Sequence, residues 1–424
     1  MRVLLISANT EQINVLPLPL GLNCVAVAAR NAGHEVELLD LMFRGDVSSS
    51  IAQAAQSFHP GVIGISVRNI DDQSMQDTRF LLEEVRKVVS ICRGLTDAPI
   101  VLGGAGFSIF PESALNYLDA DMGIQGEGEQ AFPMLLEKIR QGTSLSGVPG
   151  LYLKGRGLVH ERVFAGNLDE LPLPDPRLCA RSLSHEQEIW LPVQTRRGCP
   201  MSCSYCSTAT IEGRSVRKRS PALVVENIAR HVEAGFEKFY FVDNTFNLLL
   251  PYARDLCLAI IGSGLKISWR CILYPGRIDG GLIDLMAEAG CTEVSLGFES
   301  GCERILKGMN KKYKPHDIRL ASDMLRDAGI GRMGFLLLGG PGETRESVSE
   351  SLAFAGSLQL DALKITAGIR IYPGTALAKI AREEGVISPD DDLLFPRFYM
   401  ANGLGGWLQE TVKAWTADKP HWMS

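Results

Sequence analysis

Residues 197–206 are Arg-Gly-Cys-Pro-Met-Ser-Cys-Ser-Tyr-Cys, and they follow directly on a predicted strand. Cys199, Cys203 and Cys206 are separated by three and then two residues. A tight loop at such a place can direct three thiolates at three corners of one cube, and its glycine and proline restrict the backbone that does so. Thiolates are the usual ligands of iron–sulfur clusters. The spacing therefore predicts a four-iron cluster with one iron left open to an external chelator.

Unrelated thiols and a structural zinc site are the two alternatives for these cysteines. A structural zinc site needs four ligands in paired Cys or Cys/His sets, and His185 and His231 are not spaced to complete one. The other seven of the ten cysteines share no spacing and fall mostly in predicted apolar elements. Such a distribution is typical of small core residues.

From Trp190 the sequence alternates short apolar runs with amphipathic stretches. The predicted strands are 191–195, 238–242, 267–271, 293–297, 332–338 and 362–368, and the predicted helices are 221–234, 251–262, 282–289, 315–327, 343–357 and 376–384. Six βα units are too few to close an eight-stranded barrel, so we predict a six-unit βα partial TIM barrel over 190–385. Its functional residues should lie at the carboxyl ends of the strands. Residues 386–424 hold three of the five tryptophans and predict a packed terminal helix, with a cap over the barrel mouth as the alternative.

The first 145 residues alternate in the same way. The predicted strands are 3–7, 35–39, 62–67, 100–103 and 122–125, and the predicted helices are 20–31, 47–57, 73–93, 111–118 and 129–140. This pattern predicts an α/β fold with an N-terminal doubly wound, Rossmann-like parallel sheet over 1–145. Glycines around 151–153 and 158–163 predict a small hairpin, and the prolines of 171–176 an extended linker, so 146–189 separates the two domains.

The cysteine segment resembles the CxxxCxφC motif of the radical SAM enzymes, with Tyr205 at the φ position. Four further segments match the family in order at the ends of predicted strands, namely 243–246, 297–301, 338–344 and 371–375. The resemblance covers about 190–385. It implies that the three cysteines hold a [4Fe–4S] cluster, and it implies a set of residues that bind S-adenosylmethionine (SAM): Tyr205, Asp243, Glu299, Ser300, Gly342 and Glu343.

Taken one at a time, these segments also fit ordinary structural roles. A glutamate in a Gly-Pro-Gly-Glu turn is favoured by the dipole of the helix that follows. Glu299 alone could be a solvated strand end, and Asp243 a helix cap.

In the family, the open iron is chelated by the amino and carboxylate groups of SAM, and reductive cleavage gives a 5′-deoxyadenosyl radical that takes hydrogen from the substrate. An electron donor such as flavodoxin or ferredoxin is an implied partner.

Short glycine-dependent segments in the first 145 residues resemble the cobalamin-binding domain that precedes some radical SAM barrels. They are 19–22, 32–36, 64–66, 102–104 and 126–129. A doubly wound domain binds ligands beyond the carboxyl ends of its strands, and no GxGxxG or GxxxxGK[ST] indicates a nucleotide instead. The resemblance implies bound cobalamin, with these candidate contacts: Ser66, Arg68, Gly103, Gly104, Gly126 and Glu127.

The Asp-x-His-x-x-Gly element, whose histidine ligates cobalt from below in many cobalamin proteins, is absent, because His34 has Ala32 two residues before it. Arg68 ends the third predicted strand, and a guanidinium has no lone pair to offer cobalt. We hypothesise that Arg68 lies under the corrin, which would leave the lower face without a protein ligand and ease reduction to cob(I)alamin. A simple ion pair of Arg68 with Asp71 or Asp72 is the alternative.

The resemblance implies a cobalamin-dependent radical SAM methyltransferase that moves methyl from methylcobalamin to an unactivated carbon of a small molecule or peptide. Oxidation, cyclisation or rearrangement with the same cofactors is the alternative. Methylthiolation would need three further cysteines in the first domain, where only Cys24 and Cys92 lie. A non-catalytic cobalamin- or SAM-binding sensor would not need the cysteine triad.

Composition excludes several further classes of protein. The 424 residues carry 43 basic and 49 acidic side chains, and this balance argues against a protein built to bind a nucleic-acid backbone. No apolar run approaches the ~18 residues of a membrane span, and the apolar start at 3–6 is interrupted too soon for a secretory signal. We therefore expect a cytoplasmic enzyme without membrane or nucleic-acid partners.

Overall fold

A computed structural model of the chain describes residues 1–11, 18–42, 44–180, 188–419 and 421–423. The fold is α/β, as predicted, and divides into two compact units. Unit 1 comprises Met1–Asp72, Arg79–Ile189 and Thr208–Arg219, and unit 2 comprises Gln73–Thr78, Trp190–Ser207 and Ser220–Ser424. The domain boundaries at 145, 189 and 385 stay predictions.

The strands are β1 Arg2–Ser7, β2 Glu35–Asp40, β3 Val62–Ser66, β4 Ile100–Gly103, β5 Met122–Ile124, β6 Leu151–Leu153, β7 Gly157–Leu158, β8 Leu191–Val193, β9 Arg196–Arg197, β10 Arg217–Lys218, β11 Lys238–Phe241, β12 Ser268–Leu273, β13 Cys291–Glu299, β14 Gly331–Leu338, β15 Ala362–Ala367, β16 Ile369–Arg370, β17 Phe398–Tyr399 and β18 Trp422–Met423. The helices are α1 Leu20–Asn31, α2 Val47–Phe58, α3 Leu82–Leu95, α4 Ala105–Ile109, α5 Pro111–Leu118, α6 Gly128–Gln141, α7 Pro176–Ala180, α8 Thr208–Glu212, α9 Pro221–Glu233, α10 Leu250–Ser263, α11 Gly280–Glu288, α12 Glu303–Gly308, α13 Pro315–Asp327, α14 Arg345–Ser357, α15 Ala376–Glu383 and α16 Gly405–Thr416.

Unit 1 contains a doubly wound sheet in the order β2-β1-β3-β4-β5-β6-β7. The first five strands are parallel, as predicted, and β6 and β7 add an antiparallel hairpin to the edge. The hairpin's second strand is Gly157–Leu158 rather than the predicted 158–163. The chain order reverses between β1 and β3, so the ligand crevice of this architecture lies at the carboxyl ends of those two strands.

The helix predicted over 73–93 begins only at Leu82. Ahead of it, the Ser74 hydroxyl donates to the carbonyl of Gln76, and the Thr78 hydroxyl donates to the carbonyl of Ser74, each at 2.6 Å. Such side-chain bonds to nearby backbone offer the chain an alternative to a helical turn. The loop that follows β3 is therefore longer than the sequence pattern predicts.

Unit 2 contains a parallel sheet in the order β18-β15-β14-β13-β12-β11-β8. The six predicted barrel strands occur in chain order, and β18 extends the edge beside β15. Along β14, Arg332, Leu336 and Leu338 are buried, whereas Met333 and Phe335 are partly exposed. This alternation gives the sheet a covered face toward the helices and a more open concave face.

The segment after the barrel forms the predicted terminal helix, α16, which buries Leu408 and Val412. Just before it, β17 pairs antiparallel with β16. In the ranges that the structure describes, no helix has the length and apolarity that a bilayer crossing requires.

Gly104 gives a test of how unit 1 shapes its crevice. Its φ is 101°, and a Cβ at this position would lie 2.5 Å from the carbonyl oxygen of Val67. We expect Gly104→Ala to lower the free energy of unfolding by about 1–3 kcal/mol, because both the conformation and the space exclude a side chain. Gly94→Ala, on the exposed side of α3 with open space around it in the described chain, is the matched control and should be neutral or slightly stabilising. Urea unfolding midpoints check this, and equal midpoints for the two variants would contradict it.

Candidate functional site

The three motif cysteines lie in the loop that follows β9. Cys199 and Cys203 are partly exposed, Cys206 is exposed, and all three are reduced thiols. The backbone N–H of Cys206 donates to the carbonyl of Cys203 at 3.3 Å, and Gly198 has a φ of 90°. Across the described ranges, no three His, Cys, Asp or Glu side chains form a site for a single metal ion. The donor set of three accessible thiols from one loop is of the kind that holds an iron–sulfur cluster.

Asp243 fixes the start of this loop. Its carboxylate accepts from the backbone N–H groups of Thr195 at 2.8 Å and Arg196 at 3.0 Å, and from the Thr195 hydroxyl at 2.5 Å. The Arg196 guanidinium lies 3.4 Å from the same carboxylate, and both side chains are buried. These contacts tie the exit of β8 to the carboxyl end of β11. Asp243 acts here as a brace, and its predicted contact with SAM stays a prediction.

A second brace is the segment 309–313, which follows α12. The carbonyl of Met309 accepts from the N–H of Ser204 at 3.1 Å, and the Asn310 side-chain amide donates to the carbonyl of Ser202 at 2.7 Å. Asn310 has a φ of 59°, as expected of an asparagine just past a helix end. The middle of the cysteine loop is therefore held from the side by a helix terminus.

The same segment reaches the carboxyl end of β13. The Lys311 ammonium lies 3.0 Å from the Glu299 carboxylate, and their side chains are only 6% and 13% exposed. The Tyr313 hydroxyl donates to the carbonyl of Gly297 at 2.8 Å. The Lys311 Nζ also lies 5.3 Å from the ring centroid of Tyr205, within cation–π range. Residues 309–313 thus connect the cysteine loop to Glu299.

Glu299 itself has a strained backbone. Its φ is 61°, and the register between β13 and β14 shifts between Gly297 and Glu299. Bulges of this kind re-aim a side chain and occur next to active sites, and a left-handed conformation of a non-glycine residue costs of order 1–3 kcal/mol. The ion pair with Lys311 fixes the carboxylate at this bulge.

Burial and charge act in opposite directions on the ionisable groups here. Burial raises the pKa of the Cys203 thiol, and the positive charge of Lys311 opposes that rise. Burial by itself lowers the pKa of Lys311, but Glu299 and the neighbouring phenols outweigh it and hold that pKa well above its ordinary value. Burial, reinforced by Glu299, raises the pKa of Tyr205 well above its ordinary value. Lys311 is therefore a fixed cation.

Ser300 and Gly342 are engaged by the protein itself. The fully buried Ser300 hydroxyl lies 2.9 Å from that of Ser351 on α14 and accepts from the N–H of Cys302 at 3.1 Å. Gly342 has a φ of 76°, and its carbonyl accepts from Arg304 at 2.6 Å. Both residues shape the turns at the ends of β13 and β14.

Glu343 combines burial with an unused acceptor. Its Oε2 accepts from the backbone N–H groups of Gly339 and, at 2.8 Å, Gly340. Its Oε1 is buried and lacks a hydrogen-bond partner among the described residues. Burial raises the pKa of Glu343 to about 7, against the two backbone donors that lower it. A buried acceptor without a donor is rare in folded proteins, and this one fits the ammonium group of a ligand such as SAM.

In unit 1, a cleft lies at the carboxyl ends of β1 and β3, where the strand order reverses. Ser66, Arg68, Asn69 and Glu11 are among its lining residues. Arg68 is exposed. Arg68 lines this cleft, and its predicted contact with cobalamin and its place beneath a corrin stay predictions.

The rim of the cleft is held by ion pairs. Arg79 lies 2.6 Å from Glu11 and 3.4 Å from Asp72, so it links the loops that follow β1 and β3. Asp72 is one of the two carboxylates considered as an ion-pair partner of Arg68. It forms an ion pair with Arg79.

Two of the predicted glycines adjoin this cleft. Gly103 pairs with Ser66 across β3 and β4, and the nearest atom to a Cβ built on Gly103 would be the carbonyl oxygen of Ile124, 4.0 Å away. Gly104 packs instead against the backbone of Val67. A Cβ on Gly103 would make only an ordinary contact, whereas Gly104 is required for close backbone packing.

Gly126 and Glu127, after β5, are bound to protein groups. The N–H of Gly126 donates to the Ser108 hydroxyl at 3.0 Å. The Glu127 carboxylate accepts from the N–H of Ala165 at 2.8 Å and from Arg217 at 2.5 Å, and Arg217 is buried. Glu127 holds segments of unit 1 together, and its predicted contact with cobalamin stays a prediction.

Two family models match the chain. The model of the radical SAM superfamily matches residues 193–355, and that of the B12 binding domain matches residues 6–136. The sequence motifs lie within these two ranges, except for the segment 371–375.

Curated relatives match over most of their length. An uncharacterized methyltransferase of Pyrococcus horikoshii is 30% identical over an alignment of 393 positions that covers 90% of this chain and 83% of that protein. The tryptophan 2-C-methyltransferase of Streptomyces laurentii is 25% identical over 444 residues, covering 89% of this chain and 74% of the relative. Among solved structures, the radical SAM methyltransferase TsrM of Kitasatospora setae with cobalamin and a [4Fe–4S] cluster bound shares the fold, with a TM-score of 0.85 at 23% identity over 100% of this chain and 90% of the other.

Glu343 predicts a pH dependence of stability. Its pKa is about 7 in the folded protein, against an ordinary value of 4.5, so the folded state keeps a proton that the unfolded state releases. The stabilisation from this proton is complete below pH 4.5 and is lost as the pH rises through about 7. We expect Glu343→Gln to remove this part of the decline, as measured by unfolding midpoints between about pH 5 and about pH 8.

The matched control is Glu346→Gln in the first turn of α14, where the carboxylate is exposed and hydrogen bonds lower its pKa. This variant should follow the wild-type profile. If Glu343→Gln also followed it, the assignment of a raised pKa to Glu343 would be wrong.

Proposed function

The chain belongs to the cobalamin-binding radical SAM enzymes, and on that premise we propose that it transfers a methyl group from methylcobalamin to an unactivated carbon of a small molecule or peptide. The observation that carries the proposal is the loop of three reduced thiols, braced by Asp243 and by residues 309–313. A braced loop of this kind presents ligands for a redox cluster, which a simple binding module does not need.

The relatives support methyl transfer over the other chemistries of this architecture. Both reported relatives are named methyltransferases, and one of them is named for the amino acid tryptophan. On this ground we propose a small molecule over a polymer as the substrate. The alternative is oxidation, cyclisation or rearrangement with the same cofactors, and the product mass separates it from methylation.

Cys199, Cys203 and Cys206 would hold the cluster, and the cleft around Ser66 and Arg68 would hold cobalamin. When bound, the cluster, SAM and cobalamin supply the electron, the radical chemistry and the methyl group. The chain's own part is to place these groups and to keep water from them. An external one-electron donor of the flavodoxin or ferredoxin kind is part of the proposal.

We propose that Glu343 and Glu299 position SAM. Glu343 offers a buried acceptor for the ammonium group, and Glu299 lies beside the cysteine loop with Lys311 as its counterion. Asp243 and Ser300 would not contact SAM directly but would hold the loops around it, because their oxygens are already bonded to protein groups.

The concave face of unit 2 would receive the substrate. Met333, Phe335 and Leu337 are its partly exposed apolar residues on β14. Lys364 and Thr366 lie on the same face of β15. An apolar surface with few polar groups is typical of small-molecule sites. Such a surface would shield reactive species from solvent.

The cysteine loop gives the first test. Alanine at Cys199, Cys203 or Cys206 should abolish iron and acid-labile sulfide after anaerobic reconstitution, and with them the formation of 5′-deoxyadenosine from SAM, because a cubane loses one of its three protein ligands. Cys257→Ala removes a buried thiol from α10, outside the loop, and should keep both. Iron retained at the wild-type level in all three loop variants would exclude the cluster assignment.

Labelled SAM tests the reaction itself. The reconstituted protein is incubated with cobalamin, a low-potential reductant, SAM carrying a trideuterated methyl group, and either tryptophan or a small-molecule extract. We expect a product that has gained one labelled methyl, together with 5′-deoxyadenosine. A product changed in mass without the label would indicate the alternative reactions, and formation of neither product nor 5′-deoxyadenosine would exclude catalysis of this class.

A further inference from the structure

Lys311 is a buried cation beside the cysteine loop. Its side chain is 6% exposed, and its ammonium lies 3.0 Å from Glu299. The ring centroids of Tyr205 and Tyr313 lie 5.3 Å and 6.0 Å from the same nitrogen. Tyr205 stands between Cys203 and Cys206 in the chain, so the cation lies against a residue of the cysteine loop itself.

The loop cannot readily move away from this charge. Met309 and Asn310, directly before Lys311, bond to Ser204 and Ser202 of the loop at 3.1 Å and 2.7 Å. The Tyr313 hydroxyl, two residues later, bonds to the carboxyl end of β13 at 2.8 Å. These bonds fix the chain on both sides of Lys311 relative to the cysteine loop, and the ion pair with Glu299 fixes the ammonium.

The arrangement is costly if its only role is stability. Burying two charges costs several kcal/mol for each ion, and a buried pair is often no more stable than an apolar pair of the same size. Glu299 adds a left-handed backbone conformation, with a φ of 61°, to that cost. The buried ion pair and the strained backbone are both unfavourable, and both occur beside the three cysteines. We take this as an indication that the charge of Lys311 has a role of its own.

We propose that Lys311 raises the reduction potential of the cluster held by the three cysteines, with Glu299 as the counterion that moderates its effect. The inference rests on the proposed function for the presence of the cluster. In the step concerned, the cluster gains one electron, an external one-electron donor loses one, and no bond forms or breaks. A fixed positive charge nearby stabilises the added negative charge.

Because Lys311 and Glu299 carry opposite charges, removing one or the other should shift the midpoint potential of the cluster in opposite directions. Lys311→Met removes the cation and leaves the anion of Glu299, so the midpoint potential should shift downward. Glu299→Gln removes the anion and leaves the cation, so the potential should shift upward. The double variant Lys311→Met/Glu299→Gln should return close to the wild-type value, and Lys311→Arg, which keeps the charge, should stay close to it.

The experiment uses the full chain, reconstituted anaerobically with iron and sulfide, without cobalamin or substrate. Each variant is titrated with dithionite and redox mediators, and the reduced cluster is followed by electron paramagnetic resonance. Lys312→Met is the matched control, because Lys312 is the next residue, is exposed and bonds to Asn310. Its potential should equal that of the wild type.

Equal potentials in the wild type, Lys311→Met and Glu299→Gln would overturn the proposal. A shift in the same direction for both single variants would also overturn it, because a structural disturbance, unlike a charge effect, need not change sign. If Lys311→Met does not take up a cluster, Glu299→Gln alone decides: an upward shift supports the proposal, and no shift or a downward shift overturns it. Failure of the wild type to bind iron would instead reject the proposed function, and this inference with it.

Discussion

The connection that residues 309–313 make between the cysteine loop and the carboxyl end of β13 is the constraint on which the rest of the site depends. A loop rich in glycine, serine and cysteine has little apolar area to bury, so hydrogen bonds must fix its shape. Met309 and Asn310 supply two of them, and Lys311 and Tyr313 carry the same segment to Glu299 and Gly297. Each such bond contributes only about 0.5–1.5 kcal/mol. Their effect lies in geometry, because one short segment sets where both the thiols and the carboxylate stand.

Most of the fold could be predicted from the sequence because its signals are periodic. Apolar runs that alternate with amphipathic helices leave few topologies open, and both parallel sheets were predicted with their strands close to the observed bounds. The errors occurred where local chemistry competes with periodicity. The hydroxyls of Ser74 and Thr78 bond to nearby backbone carbonyls, and α3 begins only at Leu82. The strands β6 and β7 are too short to show an alternating pattern of apolar residues, so the sequence does not indicate that this hairpin joins the first sheet.

The site was predictable only in part, for a related reason. The spacing of Cys199, Cys203 and Cys206 is local, so the sequence shows it directly. Lys311 was missed, because its role depends on a register shift in β13 and on the end of α12, neither of which leaves a spacing pattern. The one available signal was Asn310, since an asparagine just after a short helix often takes the left-handed conformation found here.

The acidic residues of the site differ in how far their oxygens are already satisfied, and this difference indicates which of them can turn toward a ligand. Asp243 and Glu127 accept from several protein donors, so drawing either toward a cofactor would break bonds that hold the frame. Among the described residues, Glu343 keeps one oxygen without a donor, and Glu299 is paired with Lys311 at the end of a strained strand. Exchanging water or one counterion for a ligand costs far less than breaking a saturated network. Motif position alone would rank these four carboxylates equally, whereas their hydrogen bonds separate two braces from two groups that can respond to a ligand.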